Sequence, residues 1–149
     1  MHSIVDNIKI DQALMPQVIQ ATALNSGDID MQGAEALSVA LLVGDLGDIL
    51  SGSVKVDVKI EHAEDDGTGS PAAYTACTDT DVLNFTGLVS GLFLSIDDAA
   101  KEQKRHVIEY KGAKRFVKVT ATPTGLVTGG EIAMLTLKGG LTQKPAVNV

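Results

Sequence analysis

The chain has 149 residues, 44% of them hydrophobic but only 3% aromatic, with no Trp. That is one domain's worth of polypeptide, able to bury roughly 70% of its unfolded surface in a core of Val, Ile, Leu, Ala and Met, and a mean hydropathy of +0.16 excludes a disordered chain. Net charge is −7, split between a first hundred residues at −13 (three cations, sixteen acids) and the remainder at +6 (nine cations, three acids). Such bulk acidity argues against a nucleic-acid-binding domain and favours docking between oppositely charged protein surfaces.

Taken in chain order, residues 2–15 carry Ile4, Val5, Ile8 and Ile10 without a clean apolar–polar alternation. This stretch reads as an N-terminal arm or edge strand, open either to the chain's own sheet or to a neighbour's edge. Gln17 to Leu24 and Ala36 to Val43 read as strands. The second is apolar on both faces and is therefore expected in the middle of a sheet. Ser53 to Glu61 alternates strictly, placing Val54, Val56, Val58 and Ile60 on one face and Lys55, Asp57, Lys59 and Glu61 on the other. That is the pattern of a strand with one face in the core and one in water.

Tyr74 to Cys77 and Leu92 to Ile96 are shorter strands, and Asp97 could cap a helical turn or two before Lys104. His106 to Tyr110 and Arg115 to Thr122 flank a short connection containing Gly112, which predicts a β-hairpin closed by Pro123. Glu131 to Lys138 is the last strand, and residues 140–149 form a polar tail. Turn clusters at Asn25–Asp28, Gly44–Asp48, Asp65–Pro71 and Thr128–Gly130 separate these runs. Many short strands with Gly- and Asp-rich turns specify an all-β, antiparallel sandwich or barrel of about eight strands, with residues 16–139 as its single domain.

Chemistry is hard to find. The single cysteine, Cys77, excludes an internal disulfide and any site needing two thiols; it reads as a small buried hydrophobe. The three histidines, His2, His62 and His106, stand at no metal-ligand spacing, and His62 and His106 read as surface residues at strand ends. No Gly-x-Ser-x-Gly elbow, phosphate loop or calcium loop occurs, and the acidic clusters at 64–66, 79–81 and 97–98 read as solvated turns. No catalytic residue, cofactor site or metal site is expected, and the protein is not expected to be an enzyme. A carbohydrate platform is disfavoured too, with only Tyr74 and Tyr110 available to stack on sugars. The chain start shows neither a signal peptide nor an apolar run long enough to span a bilayer, so cytoplasmic synthesis and no membrane partner are expected.

The basic segment from Lys101 to Lys118 has two readings: charges facing water along an edge, or an electropositive docking patch. The candidate protein contacts are Lys104, Arg105, Lys111, Lys114, Arg115 and Lys118, together with the N-terminal Ile4, Val5, Ile8 and Ile10.

Tyr110-Lys111-Gly112-Ala113-Lys114-Arg115-Phe116-Val117-Lys118-Val119 resembles a Tyr-x-Gly-x-x-Arg-aromatic-Val-Arg-Val stretch in a family of small structural proteins encoded among tailed-phage and prophage head genes. Ala21 to Asp28, followed by an apolar strand and a Gly-Asp turn, is similar to that family's opening, and the closing strand Glu131 to Lys138 extends the likeness over most of the chain. The resemblance implies a jelly-roll-like sandwich and a decoration or cement protein of the virion, stabilising the capsid. It would sit as a homotrimer on the head surface with the major capsid protein as partner, and without nucleic acid. A tail or head–tail connector component, or a glycan-binding module, is the alternative.

Overall fold

The computed structural model describes Ile4 and residues 6–142, and within them every long element is a strand. Ten strands form: β1 (Lys9–Ile19), β2 (Leu24–Asn25), β3 (Ile29–Asp30), β4 (Ala36–Val43), β5 (Lys55–Ala63), β6 (Thr75–Ala76), β7 (Leu92–Ile96), β8 (Lys104–Tyr110), β9 (Phe116–Thr124) and β10 (Gly130–Gly139). They build two antiparallel sheets. The first runs β1-β10-β4-β8; the second runs β2-β9-β5-β6, with β3 also on β9 and β7 also on β5. Because β2 and β3 share one lane, and β6 and β7 another, the ten strands fill eight positions. Numbered as positions along the chain, the sheets then read 1-8-3-6 and 2-7-4-5, the double Greek key of a jelly roll. Among the described residues, no helix is long and apolar enough to cross a membrane.

Strand alternation dictates what lies between the sheets. Leu37, Val39, Leu41 and Val43 of β4 face Ile132 and Met134 of β10 and Ile108 and Tyr110 of β8 on the inner side, all nearly inaccessible. From the opposite sheet come Val56, Val58 and Ile60 of β5 and Val117, Val119 and Ala121 of β9. Burying each larger aliphatic side chain is worth about 1.5–3 kcal/mol, so this interlayer needs few aromatics. β4 lies between β10 and β8, the central place its apolar character required.

The structure corrects several expectations. β8 and β9 do not form a hairpin: β8 pairs with β4 in one sheet and β9 with β5 in the other, so residues 111–115 cross from layer to layer. Gly112 serves this crossing. A Cβ there would lie 2.4 Å from the Tyr110 hydroxyl, so only glycine lets the ring fold under the chain. Pro123 does not close the unit but sits inside β9 opposite Val56. β2 reaches no further than Ala121, leaving that side of β9 without a ladder to interrupt.

β1 begins at Lys9 rather than Gln17, crosses the boundary at 15/16 without a break, and pairs with β10 as an edge strand. Register shifts between Gln12 and Leu14 and between Leu14 and Gln17 erase its alternation, which hid it in the sequence. The helical turn near Asp97 is a single 3₁₀ turn, Ala99–Lys101, capped by Asp98, which accepts the Ala100 N–H at 2.7 Å. Asp97 instead takes the Lys101 ammonium at 2.6 Å.

The turn from β9 into β10 shows how acids anchor loops here. The Asp48 carboxylate accepts backbone N–H groups from Val127 at 3.1 Å, Thr128 at 3.0 Å and Gly129 at 2.8 Å. Gly129 takes φ +72°, and a Cβ there would lie 2.2 Å from the Ile19 carbonyl oxygen.

Candidate functional site

The two sheets have unlike exteriors. Outward positions of the β5/β9 sheet pair Lys55 with Thr124, Asp57 with Thr122, Lys59 with Thr120 and Glu61 with Lys118, a water-compatible surface. The outward positions of the β1-β10-β4-β8 sheet follow the same alternation but are apolar at its centre. Cross-strand neighbours on that face are Ile10 and Leu137, Leu135 and Ala40, Ala40 and Val107, and Ala133 and Leu42. Ile10 is 46% exposed and Leu42 40%, and Val18 and Met15 continue the exposed apolar surface along β1. Polar residues such as Gln12, Ser38, Arg105, Glu109 and Glu131 interrupt or border it. A shallow groove lined by Pro16, Leu42, Gly44, Glu131 and Ala133 crosses one end. A contiguous apolar face rimmed by polar groups is the physical signature of an interaction surface.

The residues singled out from the sequence fall in different places. Ile4 is exposed, Ile8 is half-buried, and Ile10 belongs to the apolar face; Val5 lies outside the described residues. Lys104 and Arg105 are exposed at the start of β8, opposite Val43 and Leu42. Lys111 is exposed on the crossing, where its N–H bonds the Asp81 carbonyl.

The remaining cations are committed within the fold. The Lys114 ammonium donates to Thr75 Oγ1 at 2.8 Å. Lys118 pairs with Asp28 at 3.1 Å and lies 3.9 Å from the Tyr74 ring centroid. Arg115 donates to both Asp30 oxygens, to Asp65 and to Gln32 Oε1, and stacks over Phe116. The basic segment is thus divided between the two sheets, and two of its cations, Arg115 and Lys118, tie acid-bearing segments to the start of β9.

Sequence reasoning missed a second feature, a polar cluster at one end of the sandwich. His62, at the end of β5, is buried rather than a surface residue. Its Nδ1 lies 3.0 Å from the Tyr110 hydroxyl and 4.0 Å from Asp81 Oδ1, and the two rings meet edge to face. Tyr110 in turn accepts the Lys114 N–H at 3.2 Å.

Cys77 follows β6, bonds the Ile60 carbonyl through its N–H and is 2% exposed. Asp81 ends the 3₁₀ turn Asp79–Asp81, where one carboxylate oxygen accepts both the N–H and the hydroxyl of Thr78 at 2.8 Å. Burial holds the His62 pKa below its usual value against the pull of Asp81, so the ring is neutral at pH 7. Burial pushes the Cys77 thiol up to about 12. A protonated thiol with no exposed face is no nucleophile for an external substrate. The three donor atoms of His62, Cys77 and Asp81 all lie within 4.8 Å of one another. The sequence signal was only His62 in register with a strand's inward positions and an Asp four residues after the single Cys.

No protein-family model matches the sequence, and no curated protein matches it. Among solved structures, the chain is similar to one from the disulfide-linked pili of Bacillus endospore appendages, with 16% identity over 90% of this chain and 89% of that one and a TM-score of 0.39. It is also similar to the VP2 subviral particle protein of infectious bursal disease virus, with 12% identity and a TM-score of 0.28. That alignment covers 94% of this chain but 43% of VP2, so the chain spans less than half of VP2's length.

Proposed function

We propose that this protein is a non-enzymatic structural component of a virus particle, a decoration or cement protein bound to the capsid surface of a tailed phage. The observation that carries the reading is the apolar outer face of the β1-β10-β4-β8 sheet, set against the charged exterior of the other sheet. An open sheet with apolar residues on both sides gains by covering its outer one. A specific interface buries roughly 1,200–2,000 Å² in all, about half of it on each partner. Repetition over a shell multiplies modest contacts through effective concentration. The likeness of Tyr110 to Val119 to a tailed-phage head family supports the location, with the major capsid protein as partner and a trimer as the assembly.

The test is co-sedimentation of purified protein with undecorated heads, alongside light scattering of the protein alone. Saturable binding at micromolar concentration, lost on Leu42→Asp, is expected. Absence of binding from a folded wild-type protein overturns the capsid role, and a six-membered ring in solution would move it to the tail.

A further inference from the structure

We propose that His62, Cys77 and Asp81 form a binding site for one zinc-class divalent ion, pinning the segment that precedes β7 to the core of the sandwich. Three lines of geometry lead there. First, the donors are an imidazole, a thiol and a carboxylate, the mixed N, S and O set that zinc and cobalt accept and that calcium and magnesium do not. Second, tetrahedral coordination at zinc's bond lengths places donors roughly 3.3–3.8 Å apart. The present spread of at most 4.8 Å is thus on the order of 1 Å from closure, within reach of small side-chain rotations. Third, each donor is already placed by the backbone: His62 by β5, Cys77 by its N–H to Ile60, and Asp81 by Thr78 and by the Lys111 N–H on its carbonyl.

Charge also balances. A thiolate and a carboxylate neutralise a dication beside a neutral imidazole, so the loaded site buries no net charge, which removes the chief cost of taking an ion out of water. Binding exchanges the thiol proton for the metal: the S–H bond breaks, an S–metal bond forms, the proton leaves to solvent, and no electron moves. Lys114, whose ammonium lies near the cluster on Thr75, opposes the ion, while Glu64 favours it. The competing reading, a Cys-His-Asp catalytic set, fails on access, since Cys77 is 2% and His62 7% exposed.

The experiment uses the full chain stripped with a chelator and titrated with Co²⁺. A near-ultraviolet thiolate-to-cobalt charge-transfer band saturating at one equivalent is expected, together with its displacement by Zn²⁺ and a higher Tm with Zn²⁺. Cys77→Ser abolishes the band, and His62→Gln weakens Co²⁺ binding by about tenfold or more. A wild-type protein with no band and a metal-independent Tm overturns the site, as does a band that persists in Cys77→Ser.

Discussion

Arg115 and Asp30, 85 residues apart in sequence, meet as a two-pronged pair, Nε donating to Oδ1 at 2.9 Å and Nη2 to Oδ2 at 2.8 Å. The same guanidinium reaches Asp65 and Gln32, so one side chain fastens β3 and the turn after β5 to the first residues of β9. Lysine has the charge but cannot reproduce the planar fork. Arg115→Ala and Arg115→Lys are both expected to lower Tm in thermal unfolding, the lysine variant recovering less than half of the loss. Full recovery with lysine would show that charge alone matters.

Leu41 and Leu42 are chain neighbours on opposite faces of β4, 1% and 40% exposed. Leu41→Ala opens a hole between the sheets and is expected to cost about 2–5 kcal/mol in denaturant unfolding. Leu42→Ala is expected to change stability by no more than about 0.5 kcal/mol. Leu42→Asp should leave a folded monomer whose binding to capsid, or to its own kind, falls by at least about tenfold. Equal stability losses for the two alanine variants would contradict the sidedness of β4.

Gly129→Ala places a methyl group against the Ile19 carbonyl in a backbone conformation that L-residues avoid. Destabilisation by more than about 1 kcal/mol is expected. Gly52→Ala, where nothing lies within 4 Å of the added atom, serves as the neutral comparison.

The alternating strand at 55–63, the central apolar strand at 36–43 and the closing strand were legible because alternation and burial are local properties of the sequence. Pairing was not. A five-residue connection fits a hairpin and an inter-sheet crossing equally well, and what decides for the crossing is Tyr110 folding inward beneath Gly112. The commitments of Lys114, Arg115 and Lys118 were invisible for the same reason: their acceptors at Thr75, Asp30, Asp65 and Asp28 lie 39 to 90 positions away. The His62, Cys77 and Asp81 cluster has no spacing motif, since its members converge only through the pairing of β5 with β6 and the turn that follows. By contrast, the apolar outer face could be suspected from Val39 to Val43, where five apolar residues in succession leave neither side of a strand polar.

Acid should unfold the protein through its turns. A hydrogen bond from Tyr74 is the leading influence holding Asp28 below the ordinary carboxylate range, Arg115 does the same for Asp30, and the Gly87 and Leu88 N–H groups do so for Asp79. Each folded-state pKa lies below its unfolded value near 3.8, so the unfolded chain takes up protons first as pH falls. Their stabilisation is present above that value and is lost on descending through the lower, folded one. Glu102 runs the other way, because burial raises its pKa. Buried His62, held below its ordinary value of 6.5, adds a smaller loss of the same sign at higher pH, so a Tm that declines gently from about pH 6.5 and falls steeply below about 4 is expected by calorimetry. A Tm that rises below pH 4 would show the acidic turns to be strained rather than anchored.

The unlike exteriors of the two sheets carry a consequence for growth. A copy seated through its greasy side turns a lysine-, aspartate- and threonine-bearing side outward, and that side offers the next arrival nothing to sit on. On the proposed role, coverage of a shell would therefore stop at a monolayer.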